Sequence, residues 1–111
     1  MKKFVNEVDS ILSESLIGFG KAHSDIINVN LSPDFVSRKN KPNKDKVSLI
    51  SGGGSGHEPL HGGFVGYGML DAACPGQVFS APTPDQMEAA SNEVYHNKGI
   101  LFIVKNYSGD I

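Results

Sequence analysis

The sequence predicts an α/β fold, a layered sheet with parallel strands and flanking helices. Three observations predict it. Apolar residues recur at helical spacing near the start of the chain. Short β-type runs stand at Lys46–Ile50, Gln77–Ser80 and Ile100–Val104. A helix with a clear start lies between the last two.

Taken in order, residues 3–22 place Val5, Val8, Ile11, Leu12, Leu16 and Phe19 on one face of an amphipathic helix. Residues 23–46 are polar, contain Pro33 and Pro42, and read as irregular structure with a short strand near Phe35–Val36. The basic run Arg38–Lys46 reads as a solvated loop, because Pro42, Asn40, Asn43 and Asp45 interrupt it. Lys46–Ile50 then reads as a strand that stops at the glycines. Thr83 can cap a helix, Pro84 suits its first position, and Gln86 completes a capping box. Met87, Ala90 and Val94 mark that helix's buried face, and Gly99 reads as its stop. Ile100–Val104 is continuously apolar, as in a parallel strand covered on both faces. Residues 77–104 thus read as one strand–helix–strand unit.

Composition sets bounds. The 111 residues make at most one domain or part of one, with 39% hydrophobic and 20% charged residues, neither disordered nor fibrous. The net charge of −2 gives no bulk attraction to nucleic acid or an anionic membrane. Cys74 is the single cysteine, which excludes an internal disulfide and fits a cytoplasmic setting. The lysines at the N-terminus precede no apolar signal segment.

The chemistry concentrates in Ser51–Gly63, SGGGSGHEPLHGG. It contains a literal H-E-x-x-H, His57 to His61. A zinc site needs that motif on a helix, where both histidines share a face. Pro59 inside the match, and glycines before and after it, argue against a helix. No metal is therefore expected. Neither G-x-G-x-x-G nor the P-loop pattern is present, so a nucleotide is not expected on these residues.

A small polar substrate fits better. Glycines allow close backbone approach, and a histidine at the loop's end can take a hydroxyl proton near neutral pH. Ligands of parallel sheets bind beyond the carboxyl ends of strands. Two strands end in polar loops here, at Ser51–His57 and at Lys105–Asp110. If those strands are parallel neighbours, the loops meet, and the site is Gly53, Gly54, Ser55, His57, Lys105 and Asp110. Asp110 could share the proton or orient the imidazole, and Lys105 could bind an oxygen. His61, His23 and His96 read as structural.

The order and spacing of SGGGSGHEP, ACPGQVFSAPTPDQ and VKNYSGD, behind the opening MKKFVNEVDSILSESLIGFGKAH, resemble the substrate-binding subunits of dihydroxyacetone kinases, the DhaK family. The resemblance covers nearly the whole chain. It implies residues 1–111 as the N-terminal part of one DhaK domain, with the rest of the domain, including a histidine that holds the ketone as a hemiaminal, absent. It implies phosphoryl transfer to dihydroxyacetone, with phosphotransferase-system dependence expected. His57 would be the proton acceptor and Asp110 its assistant. Gly54, Ser55, Gly56, His57, Lys105 and Asp110 would bind substrate. ADP or ATP with magnesium would sit on a partner subunit or fused domain. The implied partners are a DhaL-type nucleotide subunit, a DhaM-type phosphoryl carrier and a second copy in a homodimer. A ligand-sensing coactivator resembling DhaQ is the alternative.

Overall fold

The computed structural model describes residues 6–40 and 46–111. Val5 and the middle of the basic run fall outside them. Five strands form one mixed sheet in the order β1-β2-β4-β3-β5. They are β1 (Ile27–Asn30), β2 (Phe35–Arg38), β3 (Ser48–Ser55), β4 (Ala72–Val78) and β5 (Ile100–Val104). β3 runs parallel to both β4 and β5, while β1–β2 and β2–β4 are antiparallel. The α/β class holds, and β2 matches the short strand expected near Phe35–Val36, while β1 and the antiparallel pairing of both were not expected.

The pleat sends alternate side chains to opposite faces, and each face carries one helix. On one face α1 (Ile11–Ala22) packs Leu16, with Leu12 and Phe19, against Ile27, Val36, Leu70 and Ala73. On the other α2 (Pro84–Val94) packs Ala90 and Val94 against Phe35, Ile50, Ala72 and Cys74. Complete burial of Ile50 and Val36 contributes about 1.5–3 kcal/mol each. α1 begins later than its periodicity predicts. A 3₁₀ turn covers Val8–Ser10, and Val8 is 75% exposed rather than on the buried face.

Strand limits also shift. β3 runs through the glycines instead of stopping at them, because Gly52–Gly54 pair with Cys74–Gly76 of β4. The second strand is Ala72–Val78, centred earlier than Gln77–Ser80. α2 ends at Val94, and Gly99, at φ +95°, serves the turn into β5 rather than the helix end. β5 is an edge strand with Leu101, Phe102, Ile103 and Val104 all exposed, not a strand covered on both faces.

The basic run is not a uniformly solvated loop. Arg38 is buried in β2, and its Nη1 donates to Asp71 Oδ1 at 3.2 Å. Lys46 Nζ and the Leu49 amide donate to Asp71 Oδ2 at 2.6 and 2.7 Å. A buried carboxylate with three donors ties β2, β3 and the start of β4 together.

Candidate functional site

β5 pairs with β3 only as far as Gly52↔Val104, whereas β3 continues to Ser55. Among the described residues the β5 side of β3 has no strand partner from Gly53 onward. This is the carboxyl end of both strands, where their polar loops begin. Gly54 lies opposite Gly76 just before the register of β3 and β4 shifts at Ser55. Ser55 Oγ donates to the Gly76 carbonyl at 2.7 Å and is buried. Its hydroxyl is thus committed to the sheet.

Gly56 turns the chain at φ +108°, and a Cβ there would lie 2.7 Å from the Phe79 ring. That turn brings His57 edge-on to Phe79, with centroids 4.9 Å apart, and to Tyr107, at 6.4 Å. Phe79 holds φ +52°, an unusual backbone for an aromatic residue, of the kind that gathers at functional sites. Its amide donates to the Ser55 carbonyl at 2.6 Å. Glu58 Oε2 accepts from the Gly56 amide at 2.9 Å. Residues 57–61 form turns, not a helix, so the H-E-x-x-H spacing does not align its histidines on one face. Among the described residues no three His, Cys, Asp or Glu side chains are grouped to hold a metal.

From the second loop, the Lys105 ammonium lies over the Tyr107 ring, 4.4 Å from its centroid. The Asp110 amide closes a turn onto the Tyr107 carbonyl at 3.1 Å. No hydrogen bond joins Asp110 to His57 among the described residues. His61 is closely engaged. Its Nδ1 lies 2.8 Å from Ser51 Oγ, which donates to the Ile103 carbonyl of β5 at 2.9 Å. Gly53 makes this fit possible, since a Cβ on it would lie 2.7 Å from His61 Nε2 and 3.9 Å from Lys105 Cδ. Burial holds the His61 pKa below its ordinary value; the charges of Lys105 and His57 act the same way, and Asp110 opposes them. His57, His61, Lys105 and Asp110 thus share one end of the sheet.

A cavity of about 450 Å³ lies between α1 and residues 58–63 and includes Gly53, Ser55 and His61 but not His57, Lys105 or Asp110. Its walls are mainly apolar, with Leu12, Leu16 and Phe19 of α1 among them. The chemically equipped surface is the loop pair beside it. Sequence reasoning overlooked Phe79, Ser51 and the engaged state of His61. Only spacing was legible there; the aromatic packing depends on the turn at Gly56. Gly52–Gly54 are strand residues of β3.

Comparison with known proteins bears on this site. The Dak1 domain family matches residues 17–111. The PEP-dependent dihydroxyacetone kinase, dihydroxyacetone-binding subunit DhaK, of Escherichia coli is 48% identical across the whole chain, which spans 31% of that relative's length. The crystal structure of the dihydroxyacetone kinase from C. freundii in complex with AMP-PNP and Mg2+ superposes with a TM-score of 0.89 at 41% identity. It covers 98% of this chain and 21% of that one. The dihydroxyacetone kinase operon co-activator Dha-DhaQ superposes with a TM-score of 0.80 at 35% identity, covering 95% of this chain and 31% of that one. Ninety-five matched residues, carrying both polar loops and every strand, place the chain in the Dak1 domain family.

Proposed function

We propose that this chain supplies the N-terminal part of a dihydroxyacetone-binding kinase subunit. The observation that carries the reading is the meeting of the β3 and β5 loops at one sheet end, with His57, Lys105 and Asp110 on them. Membership of the Dak1 domain family and the 48% identity to the dihydroxyacetone-binding subunit of E. coli support it. The chain spans about a third of that relative, so activity is assigned to the longer protein.

The substrate is a short hydroxyketone. The Lys105 ammonium and the backbone of Gly54–Gly56 orient its oxygens. His57 takes the proton of a terminal hydroxyl as that oxygen forms a bond to phosphorus and the donor's own bond to phosphorus breaks. Asp110 supports the charge that develops on the imidazole. The phosphoryl donor lies outside this chain, on a DhaL-type subunit with bound nucleotide and magnesium, recharged by a DhaM-type carrier of the phosphotransferase system. A homodimer in the cytoplasm completes the proposal. No helix among the described residues is long and apolar enough to cross a membrane.

The test adds the full-length protein to a cell extract lacking it, with phosphoenolpyruvate and dihydroxyacetone, and measures dihydroxyacetone phosphate. Product is expected with the native protein. His57→Ala should lower kcat by about 10²- to 10⁴-fold, the usual worth of a general base, with the far-ultraviolet circular dichroism unchanged. Full turnover in that variant would reject the role of His57. Tight dihydroxyacetone binding without product would favour ligand sensing over catalysis.

A further inference from the structure

The hydrogen bonds of Ser51 settle the tautomer of His61. A serine hydroxyl has one proton, and Ser51 gives its own to the Ile103 carbonyl. At 2.8 Å, His61 Nδ1 must then be the donor to Ser51 Oγ. The neutral ring therefore carries its lone pair on Nε2. That atom is buried and has no hydrogen-bond partner. Buried polar atoms are rarely left so, and an orphan of this kind calls for an explanation.

Its position supplies one. Nε2 lies over the bare Cα of Gly53 with the Lys105 chain alongside. Lys105 itself directs its ammonium to the Tyr107 face. His61 lines the cavity beneath α1, and the Lys105 chain of the second polar loop flanks Gly53 on the same side. The charged and titratable groups around the ring are Lys105, Asp110 and His57; burial and two of these three favour the neutral, accepting form.

We propose that His61 is a substrate-orienting residue, whose Nε2 accepts a hydrogen bond from a hydroxyl of the bound hydroxyketone. Ser51 is its positioning partner, fixing the ring's proton on Nδ1 and tying it to β5. The inference rests on the function proposed above and adds a specificity element to it. A ligand with the ketone but without a hydroxyl would leave Nε2 unpartnered and bind less well.

The test compares two substitutions in the full-length protein by calorimetry with dihydroxyacetone. An asparagine amide reaches the place of Nδ1 and keeps the Ser51 contact. A glutamine amide reaches the place of Nε2 and keeps the acceptor. His61→Asn should weaken binding by about tenfold, the loss of one well-placed hydrogen bond, and His61→Gln by clearly less. Equal losses, or a greater loss in His61→Gln, would assign the ring a packing role and overturn the proposal. A measurement on the unmodified protein guards against misfolded variants. With ¹⁵N-labelled histidine, the His61 Nε2 resonance should move on ligand addition while Nδ1 stays; an unmoved Nε2 resonance overturns it as well. If the unmodified protein does not bind dihydroxyacetone at all, the functional reading fails, and this inference with it. Binding that survives His61→Asn unchanged removes the inference alone.

Discussion

His61 shows how one residue changes meaning between sequence and structure. In the sequence it is the far end of a defective H-E-x-x-H match and reads as structural. In the structure it bridges Ser51 to the Gly53 backbone at the end of β3. Its lowered pKa makes a prediction about stability. A histidine whose pKa is lower folded than unfolded contributes fully above the unfolded value and loses that contribution as pH falls through the folded one. The unfolded value is near 6.5, so acid destabilisation from this group begins there and grows until the lowered folded value is passed. Urea midpoints measured at pH 7.5 and 5.0 should fall by less in His61→Asn than in the unmodified protein. An equal fall would assign acid sensitivity to other groups.

The helix α2 is the element whose sequence signals translate most directly. Thr83 Oγ1 accepts from the Gln86 amide at 3.3 Å, and Gln86 Oε1 accepts from the Thr83 amide at 2.9 Å. The capping box read from T-P-D-Q is present. The structure adds that Gln86 Nε2 donates to the Asp34 and Pro75 carbonyls, at 2.8 and 2.7 Å. One side chain thus caps α2, holds β4 and anchors the approach to β2. Thr83→Ala should cost about 1 kcal/mol, the ordinary value of a lost cap. Gln86→Ala should cost more, about 2 kcal/mol, because it also leaves two carbonyls without their donor. Denaturant midpoints at unchanged slope measure both. A smaller effect in Gln86→Ala would mean that water replaces its bonds to Asp34 and Pro75.

At the scale of the molecule, β5 governs behaviour in solution. Its apolar side chains are about half exposed, and its outer backbone edge has no strand partner among the described residues. Exposed apolar edges recruit other strands. Residues 1–111 expressed alone should self-associate, and Leu101→Lys should raise the monomer fraction in sedimentation velocity. A monomeric unmodified chain at the 11.9 kDa of this sequence would show that β5 is not adhesive.

The sequence by itself determined the α/β class, the capped start of α2, the apolar β5 and the presence of two polar loops after β-type runs. Each rests on local chemistry: periodicity, capping residues, β-branched runs and glycines. It also carried three motifs whose order pointed to the family. Tertiary structure decided the rest. β1 and β2 are short, and Arg38 reads as solvent-facing until Asp71 is brought to it from 33 residues away. The glycines belong to β3 because β4 offers backbone partners to them, which no property of glycine predicts. The exposure of β5 follows from its place at the sheet edge, not from its composition. His57 meets Phe79 and Tyr107 only because β3 lies between β4 and β5. Contacts made across a sheet depend on strand order, and strand order is a property of the whole fold.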